Sequence, residues 1–114
     1  MGAYLHALLT RRRRDLGMLK GDTVVFDVAE PKKLIAKIGE SFGVFFSMHD
    51  LRRSFSTFAE GLDVGHYALK RLLNHRVKDL TGGYVQIDVE RLREPMQRIE
   101  DFVLKSAGVK VAIR

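Results

Sequence analysis

From Val89 to Val103 the apolar residues Val89, Leu92, Met96, Ile99 and Val103 fall at alternating intervals of three and four. That spacing lays them along one side of a helix and is incompatible with a strand, where like residues recur every second position. The same interval returns through most of the chain. Leu34, Ile35, Ile38 and Phe42 form one set, Leu51, Phe55, Phe58 and Ala59 a second, and Ala68, Leu69, Leu72 and Leu73 a third. A fourth, Leu5, Leu8, Leu9 and Leu16, lies on a segment spanning residues 2–17. Each is expected to be the buried face of its helix.

Start and stop signals agree with this division. Gly17 and Gly21 bracket the exit of the first segment, and Pro31 suits the first residue of the second. Gly43 stops that second helix. Ser47 with Asp50 three positions on has capping-box spacing, so a helix is expected from there to about Glu60, with His49, Arg52, Arg53 and Ser56 on its polar side. Gly61 ends it, Asp63 is a candidate cap for the next helix (about Gly65 to Leu73), and Asp88 caps the last, which ends at Gly108. Pro95 either interrupts that last helix or begins its main part. Residues 74–83 read as a polar loop. Thr23–Phe26 and the tail from Lys110 are β-prone and short. Val44, Phe45 and Phe46 are an apolar connection without a period. The expected fold is mainly α, α+β at most: about five helices in one domain, with one or two short strands. Tyr4 and Tyr67 are expected to pack; His6 and His66 are expected at the surface.

Composition narrows the function. The 114 residues contain no cysteine, which removes disulfides, thiolate nucleophiles and thiolate metal sites. No two of the four histidines are three or four apart, so no helical metal pair is expected, and no cofactor. No apolar run approaches the ~20 residues that span a bilayer. The basic run Arg11–Arg14 follows the first apolar stretch, opposite to the order in a secretory signal, so the cytoplasm is the expected compartment. The formal charge is +6, with 20 basic against 14 acidic side chains. It is concentrated at the ends: net +4 over residues 1–20 and net +3 over residues 61–114. A polyanionic partner fits such a balance. Arg11–Arg14 point in almost every direction around one turn and cannot all face one groove; they read as a solvated helix end, or as one or two phosphate contacts.

One set of residues carries a sharper signal. His49 and Arg52 form His-x-x-Arg, His75 follows Arg52 by 23 positions, and Tyr84 follows His75 by nine, just after Gly82-Gly83. Their types and spacing, over roughly residues 5–106, resemble the tyrosine recombinases, the phage integrase family. The resemblance implies DNA strand exchange, in which a tyrosine oxygen attacks a phosphodiester to give a 3′-phosphotyrosyl link and a free 5′-hydroxyl. It makes Tyr84, Arg52, His49 and His75 the expected catalytic residues, with Arg53, Arg76 and Lys78 as expected DNA contacts. The chemistry suits them: a guanidinium fork matches a phosphate, an imidazole can donate to oxygen or move a proton, and a phenol with a free pKa near ~10 needs cations around it to attack.

The family also uses a second arginine and a hairpin lysine, and neither has a matched position. Arg11–Arg14, Lys20, Lys32 and Lys33 stand in the wrong context. The expectation is therefore the carboxy-terminal part of an integrase catalytic domain, from a phage or prophage gene, lacking the core-binding domain and the first part of the catalytic domain. Its partners would be duplex DNA at a recombination site and other integrase protomers, with no membrane. A catalytically inactive DNA-binding or vestigial module is the alternative. A generic helix-turn-helix around Gly61 would explain the charge but not the spacing of His49, Arg52, His75 and Tyr84. The apolar row from Val89 to Val103 could cover a neighbouring protomer or fold onto its own core.

Overall fold

The computed structural model describes residues 1–17, 25–26, 30–75 and 88–110. Among them are five helices and no strand: α1 (Ala3–Asp15), α2 (Lys32–Phe42), α3 (Met48–Gly61), α4 (His66–Leu72) and α5 (Val89–Ser106). The chain is mainly helical, as its periodicity requires. Val25 and Phe26, from the β-prone run, are not in a strand; the rest of that run and residues 111–114 of the tail lie outside the described residues.

The core is made where α3, α4 and α5 pack on one another. Ala59, Val64, Leu69 and Ile99 are buried at its centre, with Phe55, Leu62, Ala68, Leu72 and Leu73 against them. The Phe58 and Phe102 rings join α3 to α5, 5.2 Å apart and tilted by 53°, a favourable aromatic geometry. Arg98 of α5 donates to the Leu62 carbonyl at the end of α3. The row on α5 thus turns Ile99 into its own core, while Val89 and Val103 remain exposed.

Burial is narrower than the apolar pattern predicts. Leu34, Phe42, Leu51 and Tyr4 are exposed, and Tyr67 is too, with its hydroxyl accepting from Arg71 Nε at 3.3 Å. The physical reason is that α2 does not enter the three-helix core; its tightest packing is with its own exit. Gly39 is its buried residue, and a Cβ there would meet the Phe45 ring at 2.8 Å. Phe45 folds back over the helix yet stays 77% exposed.

Helix ends are built on one pattern. At α3, the Asp63 N–H donates to the Glu60 carbonyl (3.1 Å) and the Val64 N–H to that of Ala59 (2.9 Å). At α4, Asn74 N–H donates to Arg71 (3.0 Å) and His75 N–H to Lys70 (2.8 Å). At α5, Gly108 N–H donates to Lys105 (3.1 Å) and Val109 N–H to Leu104 (2.9 Å). These are Schellman closures, and each turning residue is left-handed: Asp63 at φ 54°, Asn74 at 58° and Gly108 at 66°. Asp63 is therefore not the cap of α4, which starts from Gly65. Its left-handed turn closes α3 instead, because Val64, one residue on, is drawn against Ala59 in the core. Pro31 likewise sits just before α2, at its cap position. Pro95 neither starts nor breaks α5, which runs through it. The carbonyl left without an N–H partner is that of Arg91, on an exposed turn that water can reach.

The start of α1 has no side-chain cap of its own. A carboxylate from the far end of the chain serves instead. Glu100, buried on α5, accepts from the Tyr4 and Leu5 N–H groups, both at 2.9 Å, while Gln97 Oε1 accepts from Ala3 N–H at 2.8 Å. Negative charge at a helix N-terminus meets both the orphan donors and the dipole. Gly2 suits this close approach, since a Cβ there would meet the Glu100 carboxylate and force it to shift. Among the described residues no helix is long and apolar enough to cross a membrane.

Candidate functional site

The capping box at the start of α3 fixes where His49 and Arg52 stand. Ser47 Oγ accepts from the Asp50 N–H at 3.2 Å, and Asp50 Oδ2 accepts from the Ser47 N–H at 2.9 Å and its hydroxyl at 2.7 Å. These bonds, the Ser47 hydroxyl's first, hold the Asp50 carboxyl below its ordinary value, helped by the charges of Arg53 and His49. With the first turn locked, His49 and Arg52 lie three apart, on neighbouring positions of one helix side. Arg53 instead leans on Asp50 at 3.9 Å, an exposed pair of small energetic weight.

Arg52 meets the far end of α4. Its Nη2 donates to the Leu73 carbonyl at 2.6 Å and contacts His75 Nε2 at 2.8 Å. A guanidinium can only donate, so His75 Nε2 accepts and the ring carries its proton on Nδ1. Leu73 is the last residue of the α4 turn, and its carbonyl belongs to the negative end of the helix dipole, where a cation is stabilised. Nη1 and Nε of Arg52 make no bond among the described residues and the side chain is exposed. Three N–H groups of a fixed fork therefore remain for an anion.

The structure thus brings Arg52 and His75 together, and leaves His49 one turn earlier on α3. His49 also lines the rim of a groove of about 550 Å³ between α2 and the start of α3, with Ile35, Ala36, Phe45 and Phe46 in its walls and Lys32 at its edge. Tyr84, Arg76 and Lys78 lie outside the described residues. Among the described residues no three histidines or carboxylates group as metal ligands.

Two parts of this site were not foreseen from the sequence. The Leu73 carbonyl is a backbone group, invisible to a search for side chains. Asn74 reads as the first residue of a polar loop; an asparagine directly after the last apolar residue of a helix is also, after glycine, a residue that closes helices in the left-handed conformation. The four arginines of α1 are likewise unequal. Arg12 is drawn inward, its Nε donating to the Val25 carbonyl at 2.6 Å and its guanidinium lying 5.1 Å from the Phe26 ring centre. Arg11, Arg13 and Arg14 are exposed. Comparison with protein-family models, with curated proteins and with solved structures finds no match.

Proposed function

We propose that the chain is the nucleophile-bearing portion of a site-specific DNA recombinase of the tyrosine type, acting on duplex DNA without a cofactor. The observation that supports this reading is the 2.8 Å contact between Arg52 and His75. They are 23 residues apart in sequence, and the motif singles out both. In this reading the free N–H groups of Arg52 bind the non-bridging oxygens of a phosphodiester, and the Nδ1–H of His75, whose Nε2 accepts from Arg52, is a further donor. The Tyr84 oxygen attacks phosphorus, the bond to the 5′-oxygen breaks, and that oxygen leaves as a hydroxyl after taking up a proton. The role left to His49 in this reading is to move the tyrosine proton.

A second reading, a DNA-binding module with no catalysis of its own, is favoured by one feature. The chain matches one of the two arginines that the resemblance implies and has no matched lysine. Removing one preorganised donor from an oxyanion site costs about 10²–10³ in rate.

Titration of a labelled duplex at two salt concentrations tests phosphate recognition. The expected Kd lies around ~10⁻⁴–10⁻⁶ M and weakens with salt. Arg52→Ala binds more weakly, while Arg93→Ala, whose guanidinium is already engaged by Glu90 at 2.8 Å, binds as before. Unchanged binding by Arg52→Ala, or no binding at low salt, overturns the assignment. A denaturing gel on a suicide substrate then separates the two readings. Little or no covalent adduct is expected from this chain alone; a band that vanishes in Tyr84→Phe assigns complete strand cleavage to these residues.

A further inference from the structure

We infer that Asn74 is the positioning residue of the Arg52–His75 pair: its left-handed turn at the end of α4 aims both the Leu73 carbonyl and the His75 ring at the Arg52 guanidinium. The inference rests on reading that pair as the phosphate site.

Three observations converge on one residue. Asn74 stands at φ 58°, one of two non-glycine residues with positive φ among those described. The turn it makes is closed on both sides, by its own N–H to the Arg71 carbonyl and by the His75 N–H to that of Lys70. The residues flanking it, Leu73 and His75, are the two partners of Arg52 Nη2, at 2.6 and 2.8 Å. A helix continuing through position 74 would carry residue 75 a further 100° around its axis and would engage the Leu73 carbonyl in the next turn. The reversal does the opposite. It leaves that carbonyl free for Arg52 and returns the imidazole to the same guanidinium. Both consequences follow from one dihedral angle, at a residue that makes no hydrogen bond to Arg52 among the described residues.

Asparagine is among the few L-residues that take this conformation at modest cost, and glycine takes it freely. A β-branched residue there is a genuine outlier. The backbone, not the amide group, is therefore what the position requires, which separates Asn74→Gly from Asn74→Val.

The test uses the full chain and two readouts. Long-range proton–nitrogen spectra of the imidazoles report which nitrogen of His75 carries the proton, and the duplex titration reports phosphate recognition. The unmodified chain and Asn74→Gly are expected to share a His75 ring protonated on Nδ1 and to bind alike. Asn74→Val loses that signature, and its affinity falls to the level of Arg52→Ala. Should Asn74→Val fail to fold, Asn74→Ala, with a smaller penalty, shifts both readouts in the same direction. A folded Asn74→Val that keeps the Nδ1–H ring overturns the inference. So does an Asn74→Gly that loses it, which would place the effect in the amide. If Arg52→Ala binds DNA normally, the phosphate reading fails by itself, and the His75 signature still decides the role of Asn74.

Discussion

At the scale of single residues, the charges that matter here are held by short, local bonds. Asp50 is the clearest case. Its carboxyl is pulled below the ordinary value by the Ser47 hydroxyl first, then by the Ser47 N–H and by nearby cations. A carboxylate whose folded value is depressed stabilises the fold above its unfolded value, and that contribution is lost as pH falls through the folded one. The cap of α3 is thus intact at neutral pH and is lost only in acid, as pH falls below the ordinary carboxylate range. The helical signal is expected to drop across that window in the unmodified chain, and Ser47→Ala to flatten the pH dependence; a circular-dichroism titration reads both. Glu90 shifts in the same direction, through Arg93 at the start of α5. Arg52 differs from these because its partners are a backbone carbonyl and an imidazole nitrogen, with no carboxylate among them. Neither cancels its charge, so the site keeps the cation that an anionic ligand needs.

Elements show where sequence reasoning carries and where it stops. Ser47 and Asp50 announce α3 because a capping box is a local device, complete within four residues. The period of Val89 to Val103 announces α5 for the same reason, and even Pro95 does not break it. Asp63 reads wrongly as a cap because the same residue type serves either end of a helix. The choice was made by Val64, which is buried at 7% exposure in the cluster that Ile99 of α5 completes, and that packing is tertiary. Leu34 and Phe42 read as core because α2 is amphipathic; no local signal tells whether another helix arrives to cover it. Of the candidate site, residue types and spacing identify Arg52 and His75, but the Leu73 carbonyl between them requires the path of the chain. The left-handed turns offer a test at this scale. Asp63→Gly is expected to stabilise the fold by about 0.5–1 kcal/mol by removing the cost of an L-residue at positive φ. Asp63→Val should lose about 1–2 kcal/mol. Thermal melts followed at 222 nm compare the two.

Across the whole molecule, the +6 charge is not a uniform coat. Of the four consecutive arginines on α1, Arg12 is a structural tether, bonded to the Val25 carbonyl and stacked over Phe26, while its neighbours face solvent. Arg12→Ala is expected to lower stability by about 0.5–1.5 kcal/mol through the lost hydrogen bond. Arg11→Ala and Arg13→Ala should stay within about 0.5 kcal/mol of the unmodified chain. Denaturant melts of the three single variants measure this directly, and equal losses in all three would refute the distinction. The apolar surface is just as uneven. Phe42 and Phe45 are 76% and 77% exposed at one end of α2, whereas Ile99 on α5 is 1% exposed. Packing energy is thus gathered into three helices, while α2 contributes mostly the wall of a groove.

The Glu100 carboxylate at the head of α1 has a consequence for the order in which the chain assembles. α1 lacks an internal start signal, and its first amides are satisfied by an acceptor some 95 residues away. A short helix is marginal in water without such help, and closing a loop of that length carries an entropic cost that only a formed α5 can offset. Nucleation is therefore expected at the Ala59, Leu69 and Ile99 cluster, with α1 condensing onto it late; a slower gain of amide-exchange protection in α1 than in α3 and α5 during refolding is the measurement that checks it. α1, the earliest of the five helices in the sequence, thus takes its cap from the last of them.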